Sequence, residues 1–150
     1  MTLATIKMTE ILDFDIWEKL MGKLILSCAR VEYELMQLYK FWLPNRNYYE
    51  DSCENRYDKA IGVTKEKLGK NHPMIEEMIK MKSIALYRHI IAHNPIHFSN
   101  EHNEWRIFDL KTNSESLNLS ELKKLANNAE LNSIKLSANL RINIKNHYHQ

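Results

Sequence analysis

Between Asp15 and Pro44 the apolar residues Trp17, Leu20, Met21, Leu24, Cys28, Val31, Leu35, Leu38 and Trp42 recur at steps of three and four. That period is the α-helix period, so the stretch is predicted to be one long amphipathic helix, with Asp15 as its N-cap and Pro44 as its stop. At 1.5 Å per residue it is about 40 Å long. A stripe that long needs several other elements to cover it. Glu32 lies beside the stripe, one turn from both Cys28 and Leu35. A carboxylate there needs a cationic or hydrogen-bonding partner, since an unpaired buried charge is costly.

The rest of the chain can provide that cover with helices. It has three glycines and three prolines in 150 residues, too little turn chemistry for an all-β fold, so the class is mostly α. A chain of this length buries about 68–70% of its unfolded surface, enough to fold as one domain over residues 1–150 without a metal or disulfide. Cys28 and Cys53 show no CxxC spacing or disulfide framework, which predicts a reducing, cytoplasmic setting. Glu10, Asp13, Asp15 and Glu18 stand where a signal peptide needs an apolar run, and Leu24-Ile25-Leu26 is too short to span a bilayer. No membrane association is expected. The formal net charge of +2 is not that of a dedicated duplex binder, and it permits contact with RNA.

Residues Met1 to about Asp13 lack sustained periodicity and are expected to form a short lead-in, while Pro44 to Cys53, rich in Asn, Tyr and acidic groups, reads as a loop. A second helix is predicted over Glu54–Leu68, stopped by Gly69. Asn71 or His72 caps a third, with Pro73 at its first position, running through Met74, Ile75, Met78, Ile79, Ile84, Ala85 and Leu86 to His93. Ile96-His97-Phe98 and Trp105 to Leu110 alternate as a β-hairpin, Asn113 to Ser116 as a polar loop. A final helix opens near Asn118 or Ser120, carries Leu122, Leu125, Ala129, Leu131, Ile134, Leu136, Ala138 and Ile142, and frays at His147–Gln150. About four helices and a small hairpin make the expected architecture.

The chemistry concentrates where the third helix ends, in Arg88-His89-Ile90-Ile91-Ala92-His93-Asn94-Pro95. Taking Arg88 as reference, His89 lies about 100° and His93 about 140° round the helix, so all three share one side. Asn94 precedes proline and is biased out of the α region, which makes His93 roughly the last helical residue.

Three uses of these groups are open. Arg88 can pair structurally, with Glu32 as a natural partner, the histidines being ordinary helix-end residues. His89, His93 and His97 recur every four residues, a metal-ligand spacing, but Pro95 ends the helix before His97 and no glutamate follows His89, so no metal or other cofactor is expected. The third use is RNA cleavage. RNA carries its own nucleophile, the 2′-OH, leaving the protein to move protons, which histidine does near neutral pH, and to stabilise a charged phosphorane, which suits the arginine fork. Trp105 and Phe108 are candidates for stacking on bases or for the hairpin core. Arg56, Lys65, Lys67, Lys70, Lys80 and Lys82 form a candidate phosphate-contacting face or an ordinary solvated one.

Arg88 to Pro95 resembles the Arg-polar-x-x-x-His motif of the HEPN superfamily, small α-helical proteins that include metal-independent ribonuclease toxins and antiviral nucleases. The long first helix carrying Ala29-Arg30-Val31-Glu32-Tyr33-Glu34-Leu35, with the motif near the end of a later helix, is similar to the HEPN order; the likeness in outline covers about Asp15 to Leu140. The resemblance implies a HEPN-like bundle in which Arg88 and His93 are catalytic and His89 fills the intervening polar position, usually Asn or Asp. Glu32 is expected to face the motif, as a catalytic group or as the partner that holds Arg88, and Asn94 to support it. It also implies a homodimer whose two motifs line one cleft, RNA as substrate and, for a toxin, a cognate antitoxin protein. Many HEPN proteins are instead non-catalytic dimerisation or ligand-binding modules.

Overall fold

The computed structural model describes residues 12–148, with side chains through residue 146. The lead-in expected over Met1–Asp13 falls outside the described residues except for Leu12 and Asp13, and so does the chain end from residue 149. Four helices dominate: α1 (Phe14–Trp42), α2 (Cys53–Leu68), α3 (Pro73–His93) and α4 (Leu119–Tyr148). No helix among the described residues is long and apolar enough to cross a membrane.

Each helix begins where a side chain can accept an orphan amide. Asp13, not Asp15, caps α1, accepting from the amide of Ile16 at 3.3 Å. Ser52 caps α2 through Asn55 at 3.2 Å, and His72 caps α3 by accepting from Met74 at its Nδ1, 3.2 Å away. At α4, Asn118 Oδ1 accepts from Glu121 N at 2.8 Å while the Glu121 carboxylate accepts from Asn118 N at 3.4 Å, a reciprocal capping box. Gly69, at φ +96°, ends α2 in a conformation L side chains rarely adopt.

α1 runs through the centre. Trp17, Leu24, Cys28, Val31, Leu35, Leu38 and Trp42 are all buried, as the spacing predicts, and so are Ser27, Glu34 and Tyr39 on its flanks. α4 lies parallel to α1, joined to it by Lys23 Nζ to Asn127 Oδ1 at 3.1 Å, Arg30 Nη1 to Ser133 Oγ at 2.8 Å and Arg141 Nη2 to Glu34 Oε1 at 2.6 Å. α3 runs antiparallel to α4. Asn139 donates to both oxygens of Glu77 at 3.2 Å, and Asn143 reaches the sulfur of Met74 at 3.3 Å.

α4 corrects one expectation. Its buried face is Leu122, Ala126, Ala129, Ser133, Leu136, Leu140 and Ile144, whereas Leu131, Ile134 and Ile142 are exposed. The two rows lie about 180° apart on the helix, so α4 has two apolar ridges and the fold buries the one lined with small residues. Alanine and serine let α4 approach α1 closely; leucine and isoleucine at the same positions would hold it off.

Between α3 and α4 stands a three-stranded antiparallel sheet, β1 (Ile96–Ser99), β2 (Glu104–Asp109) and β3 (Ser114–Asn118), in the order β1-β2-β3. The expected hairpin is present, but the stretch read as a polar loop at Asn113–Ser116 mostly forms the third strand. Only Leu117 marks β3 as a strand in the sequence; pairing makes up the difference, Phe108 facing Glu115 and Arg106 facing Asn118 with a register shift between them. Asn103 and Asn113, at φ +53° and +51°, make the two tight connections. Ile107 and Leu117 turn inward, and Trp105 packs against the core beside Phe98, with ring centroids 5.5 Å apart. That placement favours the core role for Trp105 over base stacking.

Two substitutions test the assigned faces. Leu24→Ala removes a fully buried side chain and is expected to cost about 2–5 kcal/mol, read as a lower urea midpoint at unchanged slope. Ile134→Ala, on the exposed ridge of α4, is expected to stay within about 0.5 kcal/mol of the parent.

Candidate functional site

Ala85, Arg88, His89, Ala92 and His93 follow one another on α3 at helical spacing and share a face. Together with Glu32 of α1 and Cys53 and Arg56 of α2 they line a cleft of about 140 Å³. The two alanines leave the opening; larger side chains there would fill it. Four of the five expected site residues therefore meet in one place. Arg88 Nη1 donates to Glu32 Oε1, the partner that the position of Glu32 required. Even so, the Arg88 side chain is 37% exposed against 21% for Glu32, so the pairing does not bury it. His89 and His93 are both exposed, their rings 4.7 Å apart and tilted by 51°.

The other wall was only partly visible in the sequence. With Ser52 as its cap, α2 starts at Cys53 and so places Cys53 and Arg56 three residues apart on one helix face, both lining the cleft. In the sequence Arg56 reads as one of a basic group with the lysines, and Cys53 carries no functional signal. The loop before α2 holds Arg56 in place. Tyr48 donates its hydroxyl to the Glu32 carbonyl at 3.3 Å, its own carbonyl accepts from Arg56 Nε at 2.9 Å, and the Arg56 guanidinium stacks 3.9 Å from its ring. Two guanidiniums thus face one carboxylate in the cleft, a balance that suits an anion. Of the remaining candidate cations, Lys82 is held by Asp58 at 2.7 Å and Glu54 at 3.6 Å; Lys65, Lys67, Lys70 and Lys80 are exposed and do not line the cleft.

Asn94, the fifth expected residue, stands apart. Its Nδ2 donates to the Ile90 carbonyl at 2.6 Å and its Oδ1 accepts from Leu110 N at 2.8 Å, so it fastens the end of α3 to the end of β2. Pro95 completes that joint, its carbonyl accepting from Phe108 N at 2.9 Å. Asn94 thus supports the site by fixing the direction in which α3 ends. His97 is likewise carried away onto β1, so His89, His93 and His97 form no ligand set.

A larger groove of about 390 Å³ lies between α1 and α4, lined in part by Tyr33, Phe41 and Ile144. Its one charged pair, Glu34 with Arg141, already satisfies itself, and it contains no histidine or thiol. The α3 cleft, by contrast, brings two histidines together with two arginines and a carboxylate.

Burial dominates the behaviour of the two thiols. It pushes Cys28 up from 9.0 to about 12, against the opposing pull of Arg88, and it raises Cys53, with the Glu32 charge adding to the effect and Arg88 and Arg56 opposing it. Both thiols are therefore held protonated at neutral pH, and Cys53 is not an activated nucleophile. Compared with known proteins, the chain matches no family model, no curated protein and no solved structure.

Alkylation checks this. In the folded protein at pH 8, Cys53 is expected to react with iodoacetamide more slowly than a free thiol and Cys28 only after unfolding. Because the folded state holds its Cys28 proton to higher pH than the unfolded state, stability should be intact below about pH 9 and decline as pH rises from there towards about 12.

Proposed function

We propose that the protein is a metal-independent endoribonuclease of HEPN type, acting as a homodimer. The observation that carries this is the single α3 face that brings Arg88, His89 and His93 into one anion-suited cleft, with Arg56 opposite. In the reaction, His93 takes the proton of a ribose 2′-OH, the oxygen attacks the adjacent phosphorus, and Arg88 binds the non-bridging oxygens as their charge grows. His89 orients the phosphate or returns a proton to the departing 5′-oxygen. The products are a 2′,3′-cyclic phosphate and a 5′-hydroxyl end. DNA, without a 2′-OH, is not cleaved.

The size of the cleft supports the dimer. Sites for whole small molecules run to about 300–1,000 Å³, so 140 Å³ accommodates a phosphate and leaves the nucleosides to contacts beyond its rim. A second copy across a two-fold axis would supply those contacts and a second motif. A cytoplasmic toxin or antiviral effector, restrained by a cognate antitoxin, is the setting that the HEPN resemblance suggests.

The Arg88–Glu32 pair favours a second reading, a non-catalytic HEPN-type module that dimerises or binds a ligand or protein, in which the motif arginine serves the fold. Incubation of an RNA pool with the full chain in EDTA separates the two. The nuclease is expected to leave 2′,3′-cyclic ends, and Arg88→Ala and His93→Ala, with unchanged circular dichroism, are expected to lose on the order of 10²-fold or more in rate. Intact RNA with the parent, or equal cleavage by the variants, leaves the binding module as the function.

A further inference from the structure

On the sheet face turned away from the core, a second group of titratable side chains stands apart from the α3 cleft. Glu101 and His102 of the β1–β2 connection and Glu115 of β3 come together, with His97 of β1 against the Glu115 carboxylate, although β2 lies between the outer strands. Ligand atoms of Glu101, His102 and Glu115 lie within 4.8 Å of one another. His97 Nε2 is 3.3 Å from Glu115 Oε1, and His102 Nε2 is 3.7 Å from Glu115 Oε2.

The detail that singles out this group is His97 Nε2. It shows less than 1 Å² to solvent and makes no hydrogen bond, although a carboxylate oxygen is 3.3 Å away. A buried nitrogen left without a hydrogen bond beside a carboxylate marks this edge of the sheet as short of a partner. Around a tetrahedral zinc ion with bonds of about 2.0–2.1 Å, neighbouring ligand atoms stand about 3.3 Å apart, near the 3.7 Å between His102 Nε2 and Glu115 Oε2. The supporting contacts fit too. Ser99, fully buried, donates its hydroxyl to Glu115 Oε2 at 2.8 Å and accepts from His102 N at 3.1 Å, fixing both the carboxylate and the connection that carries His102.

We propose that Glu101, His102 and Glu115, with His97 beside them, form a binding site for a divalent transition ion of the zinc class. An imidazole and two carboxylates, with a second imidazole adjacent, are a borderline ligand set, suited to zinc over calcium or magnesium. The ion would tie β1 and its connection to β3, across a sheet whose third strand is marked by little in the sequence. The site shares no residue with the α3 cleft and does not depend on the nuclease proposal.

The test uses the full chain, stripped of metal with EDTA and dialysed free of chelator. Zinc titrated alone by calorimetry is expected to bind at one ion per chain with micromolar or better affinity and to raise the melting temperature with concentration. Glu115→Gln and His102→Ala are each expected to weaken binding by about tenfold or more, whereas His89→Ala/His93→Ala and His147→Ala/His149→Ala are expected to bind as the parent does. Should the sheet variants fail to fold, cobalt added to the parent supplies an independent readout, with broadening of the His97 and His102 imidazole resonances expected. Absence of saturable zinc binding, binding retained in Glu115→Gln and His102→Ala, or broadening centred on other histidines overturns the proposal.

Discussion

The burial of α1 on more than one side is the constraint from which the architecture follows. A helix with a single stripe can lie on a surface, but one that also buries Ser27, Glu34 and Tyr39 has to be surrounded. Three helices do this, and their directions are set by how the chain returns. The sheet between α3 and α4 brings the chain back to the start of α1, so α4 runs parallel to it while α3 runs antiparallel to both. Polar groups at these contacts act as registers. Glu34 with Arg141, and Glu77 with Asn139 and Lys135, each admit one sliding position of the helices concerned, since a buried carboxylate shifted by a turn loses its partner.

The candidate site is a by-product of that arrangement. Because α3 crosses α1 in the opposite direction, its last turns come level with Glu32, and the Arg88–Glu32 pair joins them. The loop after α1 must return to begin α2, and it does so over the same point of α1, where Tyr48 meets the Glu32 carbonyl and holds Arg56. Asn94 and Pro95 then turn the chain into the sheet before a further helical turn can cover the opening. Each of these is an ordinary folding device, and together they leave charged and titratable groups at the rim of the core.

The sequence made the helices legible because three-and-four spacing and capping chemistry are local. It located α1, α2 and α3 to within a residue or two, and it required a partner for Glu32 and offered Arg88 as that partner, which the structure bears out. It did not reveal β3, whose residues Ser114, Glu115 and Ser116 acquire strand character only from pairing with β2. Nor did it choose between the two apolar ridges of α4, since hydrophobicity favours Leu131, Ile134 and Ile142 as much as the buried row. Closeness of approach decides that choice, and it depends on the facing helix. Cys53 escaped notice because its relevance comes from Arg88 and Glu32, which belong to other elements.

The Arg88–Glu32 pair at first argues against a role for Arg88 beyond the fold, but the atoms engaged limit that argument. An arginine has five N–H donors, and among the described residues Glu32 accepts from Nη1 alone. The planar fork meets a phosphate through two parallel donors, and Nε and Nη2 remain available for that. A guanidinium with no partner at the end of a flexible side chain would lose entropy on meeting an anion; one already held by Glu32, with over a third of its side chain exposed, has lost most of it on folding. The same carboxylate lowers the net positive charge of the cleft and so weakens nonspecific attraction for anions. Pairing of this kind therefore exchanges affinity for orientation, and orientation matters most where a bound phosphate must be held in line with a neighbouring proton acceptor.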